Sequence, residues 1–229
     1  MKDLIPSLVC NGAETWYFRN HKPVSYAGDA LNTAKILSDA EVPEIAINNV
    51  SCDVGEDILL LPKYVARPIT FHGGISGLHD AELILRRGFD RIGLTIKTQQ
   101  DVAKLTEYVS AFGTSTIIVN IKYNSPDDYS HIQDVVTELP PVSEIILHNV
   151  TRAGTLKGID LALHSRINKL SPHNLAISGG FCGDQISSPI RIYYSTHFMF
   201  PLVQRNLDHQ NPDSLLVKPA QIGSTACAM

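Results

Sequence analysis

The feature that most limits the fold is a series of eight short runs rich in Val, Ile and Leu, recurring through the chain between turn residues. They are LIPSLV at 4–9, EIAINNV at 44–50, PITF at 68–71, RIGLTI at 91–96, STIIVNI at 115–121, EIILHNV at 144–150, NLAIS at 174–178 and PIRIYYS at 189–195. The runs are nearly continuous in apolar residues instead of alternating with charges, which is the pattern of strands buried on both faces of a parallel sheet. Between them, apolar residues at spacings of three and four mark helices over 29–40, 78–88, 99–113 and 157–170, with Gly88 and Gly113 placed as C-caps.

Eight strand-helix units in one chain of 229 residues predict a closed (β/α)8 barrel. An open doubly wound sheet usually has fewer strands and a dinucleotide fingerprint after the first, and no GxGxxG occurs here. The barrel is expected to span 1–210 as a single domain. From Asn211 the tail loses helical periodicity, so 211–229 is read as a segment that wraps or frays, part of it covering apolar surface.

The charge balance, 19 Lys and Arg against 23 Asp and Glu with no basic block, argues against nucleic acid. No apolar stretch reaches the roughly 18 residues of a membrane helix, and the start, MKDLIPSLVC, lacks a signal-peptide core. The four cysteines, at 10, 52, 182 and 227, form no CxxC pair. A cytoplasmic, reduced setting without metal or other cofactor is the expectation.

HGGI follows the third run and SGGF the seventh, so paired glycines, Gly73 with Gly74 and Gly179 with Gly180, stand at the C-terminal ends of two strands on opposite sides. Such turns let backbone approach an anion, and two of them suggest a ligand with two phosphates. The plainer reading, a tight turn that needs glycine, remains open.

The order IPSL at 5–8, AGDALNTAKIL at 27–37, HGGIS at 72–76, AFGTSTIIVNI at 111–121, EIILHNVTRAGTLKGID at 144–160 and AISGGFCG at 176–183 resembles the cyclase subunit of imidazole glycerol phosphate synthase, the HisF family. RAGTLKGID is similar to that family's RDGTxxGYD signature. The resemblance implies a TIM barrel with its active site at the C-terminal strand ends. It also implies a HisH-type glutaminase partner whose ammonia passes up the barrel to a bis-phosphorylated ribonucleotide, in histidine biosynthesis.

The family's reaction uses two aspartates as acid and base. By the resemblance the first falls on Val9 and the second on Lys122, so neither carboxylate is present. Asn49, Ala153 and the vicinity of Trp16 depart from the family as well. The segment after the fifth strand is short, and the helix between Gly183 and Pro189 is cut to a few residues. The implied phosphate positions are Gly73, Gly74 and Thr95 on one side and Gly154, Gly179, Gly180 and Ser195 on the other. The implied ammonia gate keeps Glu44, Arg91 and Glu144, its fourth member falling on Asp3, and Asp90 stands where the family touches its partner. Charged residues at a barrel floor also pair simply for stability.

The N-terminal third, IPSLVCNGAE with KPVSYAGDALNTAKIL, is similar to HisF relatives that serve amidation of surface-polysaccharide sugars and also lack the first aspartate. Three outcomes are therefore open: ammonia delivery to a phosphorylated sugar or ribonucleotide, an ordinary cyclase, or a scaffold that activates a glutaminase. Lys122 is the one candidate for new chemistry, as a base or a Schiff-base amine, unless it pairs with Asp127 or Asp128. His72 and His148 are candidates to titrate near neutrality, and Cys10 would be a nucleophile only with a base beside it.

Overall fold

In the computed structural model, which describes residues 4–19, 22–51, 54–182 and 190–195, the chain winds through β1 (Leu4–Asn11), β2 (Glu14–Arg19), β3 (Lys22–Asp29), α1 (Ala30–Asp39), β4 (Ile45–Asn49), α2 (Glu56–Leu59), β5 (Ile69–His72) and α3 (Leu78–Arg86). It continues through β6 (Arg91–Ile96), α4 (Gln99–Phe112), β7 (Ile117–Tyr123), α5 (Tyr129–Glu138), β8 (Glu144–Asn149), α6 (Leu161–Asn168), β9 (Leu175–Ser178) and β10 (Arg191–Ser195). Asp3, Cys52, the segment between Gly183 and Pro189, the side chain of Ser195 and the whole tail with Cys227 lie outside the described residues.

β1 and β4 to β10 are joined in parallel, and the pairing of β10 back onto β1, with Leu4 opposite Ile192 and Ser7 opposite Ser195, closes the ring. This is the (β/α)8 TIM barrel. All eight apolar runs became its strands. The reason lies in their burial: one set of side chains packs under the helices, where Leu8, Ile47, Phe71, Ile92, Val119 and Leu147 are fully buried. The alternate set points to the axis, where Ile5, Ala46, Ile118, Ile146, Ala176 and Tyr193 form a separate cluster.

The helices begin where the local chemistry says they should. The Asp29 carboxylate accepts from the Asn32 amide at 2.8 Å at the start of α1. Thr98 and Asp101 form a reciprocal capping box on α4, the Thr98 amide donating to Asp101 at 2.9 Å. The helix expected over 157–170 is shorter, because Asp160 caps it by accepting from the Leu163 amide at 3.1 Å, and Leu156 and Gly158 before it have positive φ. As expected, the chain leaves β7 through one short turn at 126–128 directly into α5.

One element was not anticipated. β2 and β3 form an antiparallel hairpin on the end of β1, held by Glu14 opposite Asp29 and by Trp16 edge-on to Tyr26 at 5.7 Å. Its alternation is broken by register shifts at Thr15/Trp16 and Tyr17/Phe18, which hides the period of two from a reading of the sequence.

Candidate functional site

At the C-terminal ends of the barrel strands lies a cavity of about 540 Å³. Its wall is the inward-facing set of side chains, two residues further along each strand than the apolar axial cluster. Ser7, Asn48, His72, Asn120, His148 and Ser178 form a polar belt, and Val9 and Lys122 stand one step higher. Asn48 donates to the Ser7 hydroxyl. His72 Nδ1 accepts from the Asn120 amide at 3.0 Å, which leaves its Nε2 proton for the Thr70 hydroxyl at 3.3 Å. His148 Nδ1 lies 3.0 Å from the Ser178 hydroxyl.

This belt decides which candidates can act. Complete burial, aided by the Arg91 charge beneath, pushes His72 down to about 3, so it stays neutral at ordinary pH and does not titrate there as expected. Space for its ring comes from Gly93, where any Cβ would collide with the imidazole. Cys10 does not face the mouth at all: it packs under the helices, and burial raises its thiol to about 12, which removes it as a nucleophile. Trp16 packs within the hairpin, and Phe18 is the hairpin residue that reaches the cavity.

Lys122 is half-buried in the wall, beside His148 in register across β7 and β8. The expected ion pair is not formed. Asp128 instead accepts from the amides of Asn124, at 2.7 Å, and Ser125, at 3.2 Å, while Asp127 is engaged with Ser125. Burial first, and then the charge of Lys97, hold the Lys122 amine below the usual lysine range. Among the described residues the cavity wall holds Lys97 and Lys122 but not one Asp or Glu.

The two glycine pairs face this cavity from opposite sides, together with Thr95 on one side and Gly154 on the other. They are built alike. Gly73 has a φ of +84°, and a Cβ there would strike the carbonyl oxygen of Asn49; Gly179 has a φ of +90°, and its Cβ would strike that of Asn149. Thus β4–β5 and β8–β9 repeat one another, and both halves press a glycine against the preceding strand's end. Asn49 and Ala153 line the same cavity, Asn49 being buried and its side chain donating to the Ser51 carbonyl at 3.2 Å.

At the opposite end the expected gate residues converge. Arg91 lies 2.5 Å from Glu44 and 3.3 Å from Glu144. A fourth charge, missed in the sequence, completes the ring: Arg191 on β10 pairs with Glu44 and stands 2.8 Å from Glu144. Strand alternation back from Tyr193 would have placed it inward. The Tyr193 hydroxyl donates to Glu144 at 2.7 Å and roofs the ring, so its phenol stands between the charges and the cavity. Asp90 is exposed at this end, its carboxylate accepting from the Ile69 amide at 2.8 Å.

No group of three or more His, Cys, Asp or Glu able to hold a metal occurs among the described residues, and none of their helices is long and apolar enough to cross a membrane.

Comparison with known proteins agrees with this geometry. The family model described as histidine biosynthesis protein matches residues 16–185. The imidazole glycerol phosphate synthase subunit HisF of Anoxybacillus flavithermus is 27% identical over 177 residues, covering 67% of this chain and 70% of that protein. That of Chlorobium limicola is 23% identical over 204 residues, covering 80% and 81%. A Vibrio vulnificus protein assigned as subunit hisF3 of the same synthase is 24% identical over 196 residues, covering 74% and 75%.

Proposed function

Because the chain belongs to the histidine biosynthesis protein family, we propose that it is a divergent HisF-type subunit that takes ammonia from a glutaminase partner and delivers it to a phosphorylated sugar or ribonucleotide. The observation that carries this reading is a cavity wall that, among the described residues, holds two lysines, two glycine turns and no carboxylate. Such a wall favours an anion, and it has no pair of carboxylates to divide acid and base between them. Val9 and Lys122, where the family has its aspartates, both line it. Closing an imidazole ring by the family's route is therefore not its work, and amidation of a sugar for polysaccharide assembly is the reading preferred.

The charge ring of Glu44, Arg91, Glu144 and Arg191 supports an entry for ammonia at the floor of the same axis. Exposed Asp90 beside it is the proposed partner contact. The Tyr193 phenol stands in the path, so partner docking has to shift it for ammonia to pass. Among the groups left in the cavity, His148 can exchange protons with a bound ligand, whereas His72 is held neutral.

The test combines the chain with a HisH-type glutaminase and follows glutamine hydrolysis, with calorimetry of ribose 5-phosphate on the chain alone. Stimulated hydrolysis that is lost in Asp90→Lys, together with sugar phosphate binding, is the expected result. Stimulation without any binding replaces ammonia delivery by a scaffolding role, and no stimulation overturns the partnership.

A further inference from the structure

Lys122 occupies an unusual position for a lysine. It projects from the inner face of β7 into the cavity at the barrel mouth, and the nearest acidic residues along the chain, Asp127 and Asp128, are spent on capping the turn at 126–128. Among the described residues, nothing acidic in the wall fixes its ammonium. A lysine kept from water beside a second cation loses part of the preference for its protonated form, which is the condition under which amines attack carbonyl groups. Lys97 is that second cation and lines the same cavity.

The neighbours supply what such an attack needs. His148 lies opposite Lys122 in the β7–β8 register, so the two side chains project side by side from strands about 4.8 Å apart. Its imidazole is oriented through Nδ1 by Ser178 and can relay protons. The Gly179 turn follows Ser178 directly and lines the same wall, within reach of an anionic group on a ligand whose carbonyl meets Lys122.

We infer that Lys122 is an imine-forming residue for a small aldehyde or ketone carrying a phosphate group. The step balances without any oxidant or reductant. The amine adds to the carbonyl carbon to give a carbinolamine, the carbonyl oxygen leaves as water with two of the three protons of the original ammonium, and a protonated C=N bond remains. His148 moves the proton between nitrogen and leaving oxygen. This inference rests on the reading of the cavity as an anion site, but it needs no partner and no ammonia.

The experiment incubates the full chain with dihydroxyacetone phosphate, or with ribose 5-phosphate, in the presence of cyanoborohydride, and locates the adduct by intact mass and peptide mapping. One adduct per chain is expected, on Lys122, formed about tenfold faster than on any other lysine and suppressed by inorganic phosphate. It is absent in Lys122→Arg, which keeps the charge but cannot form an imine. Unphosphorylated dihydroxyacetone should label far more slowly. Absence of an adduct, adducts spread over surface lysines, or equal labelling by the unphosphorylated ketone each overturn the inference. Trapping at Lys122 without glutaminase stimulation would leave it standing while the ammonia-delivery reading fell.

Discussion

Arg191 on β10 forms an ion pair with Glu44 on β4, reaching across the end of β1, the strand that lies between them. By the resemblance to HisF, one arginine of this ring falls at sequence position 3, where this chain has Asp3. β10 thus supplies the cation that position 3 does not, and the ring keeps two arginines against two glutamates.

Removing one member leaves buried charge uncompensated. Arg191→Met is expected to destabilise the barrel by about 3 kcal/mol, the scale for breaking a buried pair from one side. Tyr193→Phe, which loses the hydroxyl that donates to Glu144 and accepts from Arg91, should cost about 1 kcal/mol. Urea unfolding of the two variants and the parent chain measures both, and equal losses would contradict the ring as described.

The repeated glycine turns make a paired prediction. Gly73→Ala and Gly179→Ala put a Cβ into the carbonyls of Asn49 and Asn149, and each should lose at least about 2 kcal/mol together with binding of ribose 5-phosphate. Gly113, with φ +84° but open space around its Cβ, isolates the backbone cost, so Gly113→Ala should lose about 1 kcal/mol and bind normally. Thermal melts and calorimetry separate the two classes.

His72 couples stability to acid. Its folded value is pushed from 6.5 down to about 3, so below about pH 6.5 the unfolded chain takes up a proton that the folded chain refuses. The contribution is fully present above that pH and falls by up to about 1.4 kcal/mol per unit as pH drops toward 3. His72→Gln should lose that part of the slope between pH 6 and pH 4. Unfolding at a series of pH values reads the difference, and an unchanged slope would place the titration elsewhere.

Carboxylates placed at Val9 and Lys122 test the proposed loss of acid and base. The unaltered chain is expected to leave the family's ribonucleotide untouched when ammonia is supplied, and the double variant Val9→Asp, Lys122→Asp to turn it over measurably. Product formation followed spectroscopically is the measure. Turnover by the unaltered chain would show an ordinary cyclase working through other groups.

Much of this was legible in the residues. The eight Val, Ile and Leu runs are strands because continuous apolar character suits a strand covered on both sides, and the two glycine pairs marked the turns around the cavity. The hairpin of β2 and β3 was not legible, because its two register shifts erase the alternation that a strand pattern depends on. His72 could be placed near the mouth, yet its neutrality comes first from burial and then from the charge of Arg91 on the neighbouring strand, both of which only the closed barrel supplies.

By itself, then, the sequence determined the barrel, its order of strands and helices and the glycine turns, since each of these is written in local pattern. The tertiary structure alone decided that Cys10 turns outward under the helices, that Arg191 completes the charge ring, and that Lys122 faces a cavity whose described residues include no carboxylate. When both faces of a strand are apolar, pattern does not say which side chains look inward. That follows from the closure of β10 onto β1, which sets the stagger of every strand and so chooses which distant charges meet across the axis.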